Sequence, residues 1–205
     1  MHASISAIVQ FLPKDLGAFI RTHPEVKIDL EEHLSTEVVR AVAEGAADLG
    51  ICNIADGTGA KQNLPYRTEK LVLIVPKDHV LRAQAAVHFA ASFNCDQVGL
   101  HTNSSIYIAM QEAAAAEGRS IKLRIHVTGL DAMCRMIHNG LGVGVMPQRA
   151  FELMHGVGEL ESIELLDDWA TRRINLVARD FSTLPVTARL LVEHLTVGSV
   201  IHQDT

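Results

Sequence analysis

Apolar and polar positions alternate most cleanly between Lys122 and Pro147. Leu123, Ile125 and Val127 alternate with Arg124 and His126, the period-two pattern of a strand with two unlike faces. From Asp131 the apolar residues fall at Met133, Met136, Ile137 and Leu141, the spacing that gives a helix one apolar stripe. Gly140 closes that helix, because a left-handed stop costs glycine no Cβ clash. Gly142 to Met146 is a short apolar run ended by Pro147, and it predicts a second strand. The stretch reads as a β-α-β unit with Thr128 at the turn from strand to helix. Ligands of such units gather where carboxyl ends of strands meet amino ends of helices.

Similar patterns recur along the chain. Leu12, Leu16, Phe19 and Ile20 have helical spacing, and Pro13 is harmless only in a first turn, so the helix is predicted to start near Leu12. Ser4 to Gln10 is then the turn that feeds it, and Thr22-His23-Pro24 ends it. Val26, Ile28 and Leu30 alternate with Lys27, Asp29 and Glu31 as a strand would. Ser35 is placed to cap a helix carrying Val38, Val39 and Val42 and ending at Gly45. Asp48 to Asn53 is the next strand, which makes residues 26–53 a second β-α-β unit.

A polar loop is expected at Asp56 to Asn63, and a strand buried on both faces at Leu71 to Val75. One short helix is expected within 80–96. Gln97 to Leu100 is a strand, His101 to Ser105 a hydroxyl-rich turn, and Ile106 to Glu117 an alanine-rich helix stopped by Gly118. The remaining chain predicts a short helix at Phe151 to His155 and strands at Ile163 to Leu166 and Ile174 to Ala178. A last amphipathic helix opens at Pro185, and a weakly anchored tail runs from Ser199 to Thr205.

Composition narrows the class. The 205 residues are 48% hydrophobic and 20% charged, enough for one domain or two small lobes with a sizeable core. No apolar run is long enough to span a membrane, and MHASISAIV lacks the basic and apolar regions of a signal peptide. Cys52, Cys95 and Cys134 are too scattered for a disulfide framework or zinc knuckle and read as reduced thiols, so a cytoplasmic location is expected. A net charge of −6 with dispersed Lys and Arg does not suit phosphate-backbone binding by these residues.

Eleven histidines include no His-x-x-x-His pair, so they read as solvent-facing or partly packed, and no metal or cofactor is expected. Ser104 stands outside any Gly-x-Ser-x-Gly elbow. Gly140, Gly142 and Gly144 follow a helix and enter a strand, the reverse of a phosphate-binding glycine loop. What recurs instead is a hydroxyl at the start of helices: Ser4 and Ser6, Ser35 and Thr36, Thr102 to Ser105, and Thr128. Such hydroxyls cap helices. Four of these turns converging on one cleft would also suit a carboxylate or another small anion.

The order of motifs resembles the effector-binding domain of LysR-type transcriptional regulators over nearly the whole chain. The matching pieces are Phe11-Leu-Pro ahead of a helix ending at His23-Pro24, the charged strand Val26 to Glu31, and Glu44-Gly-Ala-Ala-Asp-Leu-Gly-Ile51. Leu71-Val-Leu-Ile-Val-Pro-Lys-Asp-His79 and Asn139-Gly-Leu-Gly-Val-Gly-Val-Met-Pro147 complete the series.

The resemblance implies two Rossmann-like α/β lobes joined by two crossover strands, like type 2 periplasmic binding proteins. A first lobe of 1–71 with 173–205, its first strand clipped, and a second of 72–172 are expected. A small effector, an organic acid, would lie between the lobes against Ser4, Ser6, Ser35 and Thr36 on one side. Thr102, Asn103, Ser104 and Thr128 would line the other. The resemblance also implies a homodimer, a tetramer in the full-length regulator, and DNA contact only through an N-terminal winged helix-turn-helix that these residues do not contain. No catalysis is expected of it. A transporter's solute-binding protein and an α/β enzyme remain the alternatives on this fold.

Overall fold

The computed structural model describes residues 1–54, 62–154 and 156–200, the last three in backbone only. The chain separates into two compact units, Met1–Thr68 with Arg173–Thr205 and Glu69–Arg172.

Unit one opens with β1 (His2–Ala3), α1 (Ile5–Gln10) and α2 (Leu12–Thr22), then β2 (Glu31–Glu32), α3 (Ser35–Glu44) and β3 (Gly50–Asn53). β2 and β3 both pair in parallel with β1, which lies between them, so His2 faces Glu31 on one side and Gly50 on the other. The α3 crossover therefore carries the chain past the middle strand. β10 (Thr171–Ala178) pairs antiparallel with β3, with Leu176 opposite Ile51. The closing helix α7 (Val186–Val200) packs against α2.

Leu12, Phe19, Leu49, Ile51 and Leu176 are buried together in one core cluster. Val38, Val39 and Val42 bury the apolar stripe of α3 against Cys52 and Val177. Glycine is needed where α3 crosses β3, since a Cβ on Gly50 would come within 2.7 Å of a Val38 methyl. Tyr66 Oη and Arg67 Nη2 both donate to Asp15 Oδ2, at 2.6 and 2.7 Å, which ties the following strand to α2.

That strand, β4 (Gln62–Pro76), carries the chain into unit two between Thr68 and Glu69. Its half Leu71 to Val75 is buried on both faces, with Leu73 opposite Val145 on one side and Ile163 on the other. These partners belong to β8 (Gly144–Pro147) and β9 (Leu160–Leu165), both antiparallel to β4, and β5 (Ala86–Val87) adds to β9 in parallel. β6 (Gln97–Leu100), α4 (Ser105–Ala116), β7 (Leu123–Val127) and α5 (Leu130–His138) precede β8, and α6 (Gln148–Leu153) follows it. β6 pairs in parallel with β7, while Gln97 bridges in parallel to Val143 just ahead of β8. Unit two thus repeats the order of unit one, a first strand flanked by the second and third.

The glycine positions repeat too. Gly144 opens β8 as Gly50 opens β3, and a Cβ there would meet Met133 Cε of α5 at 2.4 Å and the Val98 carbonyl oxygen at 2.5 Å. Gly140 and Gly118, the expected helix stops, take φ of +75° and +67°.

Several elements differ from the sequence expectation. Ser4 to Gln10 is not a plain turn, because Ile5–Gln10 is helical and buries Ser6, Ala7 and Gln10. The two helices break at Phe11, since Pro13 has no N–H to bond the Val9 carbonyl. Of the expected strand at Val26 to Glu31 only Glu31 pairs with β1, and the pairing continues to Glu32. The register sets His2 opposite Glu31, which leaves Val26 and Ile28 with no β1 residue facing them; they pack against the core instead.

The expected helix within 80–96 is two 3-10 turns, Val80–Ala83 and Phe89–Ser92, with β5 between them. Here tertiary contacts override alanine's helix preference. Phe89 packs edge-on against Phe93 and Trp169, and Asp167 accepts its N–H at 2.8 Å. β4 starts nine residues earlier than the apolar run suggested, at Gln62. Most of the loop expected at Asp56 to Asn63, His155 and the tail 201–205 lie outside the described residues.

Candidate functional site

In unit one the hydroxyl turns leave two neighbouring parallel strands. Ser4 follows β1 and stands at the N-cap of α1, its N–H donating to the Ile51 carbonyl at 2.9 Å. Its side chain makes no cap bond, and Oγ is buried without a hydrogen-bond partner among the described residues, Ser4 being 5% exposed. An unmet buried hydroxyl costs about 1–3 kcal/mol, so this oxygen is an open polar position in the protein alone. Ser6 is also buried, in the first turn of α1, where its carbonyl accepts Gln10 Nε2 at 3.0 Å.

The neighbouring turn is tied to β1 by the His33 N–H, which donates to the Ala3 carbonyl at 3.0 Å. Ser35 is not the cap that its position suggested. The N-cap is Leu34, whose N–H is taken by the Glu37 carboxylate at 3.2 Å. Ser35 is therefore half-buried as the first helical residue, and Thr36 is exposed beside it.

Unit two arranges its hydroxyls differently. Leu100 and Val127 lie opposite each other at the ends of β6 and β7, so the turns that follow them are neighbours. Ser104 is the N-cap of α4, and its buried Oγ accepts the Tyr107 N–H at 3.2 Å. Thr102 and Asn103 are exposed just ahead of it, and the Asn103 N–H donates to His101 Nδ1 at 3.1 Å. Thr128 is exposed and stands one residue before the actual N-cap of α5, Gly129.

Sequence reasoning placed no arginine at these turns, and the structure brings one. Arg172, on β10, donates from Nη1 to Ser105 Oγ at 3.1 Å at the start of α4, and its other arm pairs with the fully buried Glu69 carboxylate of β4. No sequence signal marked the pair, since Glu69 lies between Thr68 and Lys70 and Arg172 between Thr171 and Arg173; buried opposite charges are stable only when paired.

The thiols are not nucleophiles in waiting. Burial pushes Cys52 up to about 12 and Cys134 up to about 11, so both stay protonated at neutral pH. Among the described residues no helix is long and apolar enough to cross a membrane.

What the units can do chemically is hold a small polar or anionic group against neutral donors. α1 and α5 begin with no side-chain cap bond, which leaves first-turn amides for an outside acceptor.

The fold recurs in known proteins. The effector binding domain of QuiR in complex with shikimate superposes with a TM-score of 0.84 at 13% identity, covering 98% of this chain and 96% of that one. The Synechocystis PCC6803 CcmR regulatory domain in complex with 2-PG gives 0.84 at 20% identity, covering 96% and 94%. The BenM effector binding domain with benzoate gives 0.81 at 18%, covering 100% and 94%. The chain therefore has the periplasmic-binding-protein-like α/β fold of LysR effector-binding domains.

In sequence it is similar to a "Probable RuBisCO transcriptional regulator" of Trichormus variabilis, 24% identical over 163 residues that make up 76% of this chain and 48% of that protein. A protein of the same name from Emiliania huxleyi is 21% identical over 181 residues, 85% of this chain and 58% of the other. The chain spans about half the length of the curated relatives it matches. The family model described as the LysR substrate binding domain matches residues 1–198, and the chain belongs to that family.

Proposed function

We propose that the chain is the ligand-sensing part of a cytoplasmic LysR-type transcriptional regulator and that its ligand is a small organic anion. The anion would be held by the hydroxyl turns of both units, with Ser4, Ser6, Ser35 and Thr36 on one side and Thr102, Asn103, Ser104 and Thr128 on the other. The observation that carries this reading is the buried Ser4 hydroxyl, which has no hydrogen-bond partner among the described residues and stands at a helix start after the middle strand of unit one.

The proposed mechanism is a population shift. An anion that contacts both units has different affinities for different arrangements of them, and the difference in binding energy biases the equilibrium. A homodimer, assembled into a tetramer in the whole regulator, would pass that bias to DNA-binding domains outside these 205 residues. The role asked of these residues is binding, not catalysis; the two buried thiols are protonated and Ser104 is committed to its helix cap.

A thermal-shift screen of small organic acids, with shikimate and benzoate among them, tests the proposal. At least one acid raises the unfolding midpoint by several degrees through preferential binding to the native state. Ser6→Ala and Ser35→Ala reduce that rise. A screen in which no acid stabilises the protein removes the reading.

A further inference from the structure

The fold assembles a group of side chains that spacing along the chain concealed. β1 sets His2 opposite Glu31 of β2, and His33 follows two residues later. His2 Nε2 lies 3.6 Å and His33 Nε2 lies 3.0 Å from the same Glu31 oxygen. The two imidazole rings are 4.4 Å apart at centre and inclined by 30°. One ligand atom from each of the three residues can be chosen so that all lie within 4.8 Å of one another.

These distances suit a metal ion. Donors bound at about 2.1 Å to a tetrahedral zinc are roughly 3.4 Å apart. The two histidine-to-carboxylate separations, 3.6 and 3.0 Å, already bracket that value. The remaining gap lies between the histidines, and it closes by side-chain rotation, since His33 is one-third exposed and Glu31 more than half. His2, 14% exposed, is the fixed ligand. Behind the group, Glu37 Oε2 stands 3.6 Å from His33 Nδ1 and is itself held by the Leu34 N–H. A carboxylate behind a histidine ligand fixes the ring orientation and raises its basicity.

We propose that His2, Glu31 and His33 form a binding site for a zinc-class divalent ion, with water in the remaining position and Glu37 as the outer carboxylate. Two imidazoles and one carboxylate favour a late first-row metal over calcium or magnesium, which prefer oxygen ligands. The ion clips β2, a two-residue strand at the edge of unit one, onto β1. The site uses no hydroxyl of the proposed anion site and stands or falls without it.

The test uses the untagged chain, stripped with chelator and titrated with zinc chloride by calorimetry and thermal unfolding. The expected result is one ion per chain and a rise in unfolding midpoint reversed by EDTA, with no such response to magnesium. His33→Ala and Glu31→Gln each weaken zinc binding by about 10-fold or more, and Glu37→Gln by about 10-fold. His126→Ala, which alters the separate His101–His126 pair with ring centres 6.0 Å apart, leaves binding unchanged. Should His33→Ala fail to fold, Glu31→Gln decides, because that side chain is 55% exposed. Saturable binding no tighter than about 100 µM, or binding that survives Glu31→Gln undiminished, overturns the proposal.

Discussion

In each unit the middle strand of a parallel trio runs into a serine that stands just before a helix: β1 into Ser4, and β6, four residues on, into Ser104. Ser104 Oγ accepts the Tyr107 N–H at 3.2 Å and is accounted for by its own helix. Ser4 Oγ is equally buried and has no hydrogen-bond partner among the described residues. Helix length separates the two. α4 is a 12-residue helix whose start is closed by its own side chain, whereas α1 is a six-residue helix with no side-chain cap bond. Position at a helix start therefore does not tell whether a serine is committed to its helix; what matters is whether the local backbone uses the hydroxyl.

The largest effects should come from the Glu69–Arg172 pair of unit two, whose carboxylate is fully buried, against 18% exposed for Asp15 in the Arg67 pair of unit one. Removing one member of a buried ion pair strands the other, so Glu69→Ala is expected to cost about 3–5 kcal/mol in urea unfolding. A change below about 1 kcal/mol would show that Arg172 finds an equally good partner elsewhere.

The matched glycines come next. Gly144→Ala forces a methyl against the Val98 carbonyl oxygen as well as Met133, and rigid backbone cannot yield, so a loss of about 3 kcal/mol is expected. Gly50→Ala meets valine side chains, with methyls of Val38 and Val42 nearest at 2.7 and 3.0 Å, and should cost about 1–2 kcal/mol. Equal losses would mean that the two crossovers are held with equal slack.

Alkaline pH compares the two units through their buried thiols. Both thiols are raised from an ordinary 9.0, Cys52 to about 12 and Cys134 to about 11. Below pH 9 the native thiols and the unfolded ones are all protonated, and this contribution to stability is whole. Above it the unfolded chain releases protons that the native state keeps, so stability falls by about 1.4 kcal/mol per pH unit for each thiol. The loss ends near pH 11 for Cys134 and continues to about 12 for Cys52. Denaturant titrations of Cys52→Ala and Cys134→Ala against pH should each flatten the slope by that amount.

The smallest effect is the most diagnostic of the contrast. Ser104→Ala loses a cap and should cost about 1 kcal/mol. Ser4→Ala loses no hydrogen bond and relieves an unmet buried hydroxyl, so the free protein should be unchanged or slightly more stable.

Much of this architecture was legible in the sequence where one rule dominates. The alternation of Leu123, Ile125 and Val127, the stripe of α5 and the stop at Gly140 all follow from local periodicity and backbone sterics. The misses lie where distant residues decide. The strand read at Val26 to Glu31 has the right alternation, but a strand exists only where a partner faces it, and β1 faces only Glu31 and Glu32. The 3-10 turns around Phe89 answer to Trp169 and Asp167, nearly 80 residues away.

For the proposed site, the sequence showed positions before helices, not roles. Ser4, Ser35, Ser104 and Thr128 were found from their place before helices, yet only Ser104 caps one with its side chain. Arg172 at Ser105 and the grouping of His2 with Glu31 and His33 depend on strand order, which spacing along the chain does not encode.

The role proposed for Ser4 is to set its unmatched hydroxyl against a bound ligand. It is tested most directly by thermal unfolding of wild type and Ser4→Ala, each with and without the best organic acid from the screen. The account predicts a free Ser4→Ala protein at least as stable as wild type whose stabilisation by the acid is largely lost. A variant that is less stable alone, by the roughly 2–4 °C that 1 kcal/mol represents at this size, and that keeps the full response to the acid would contradict it.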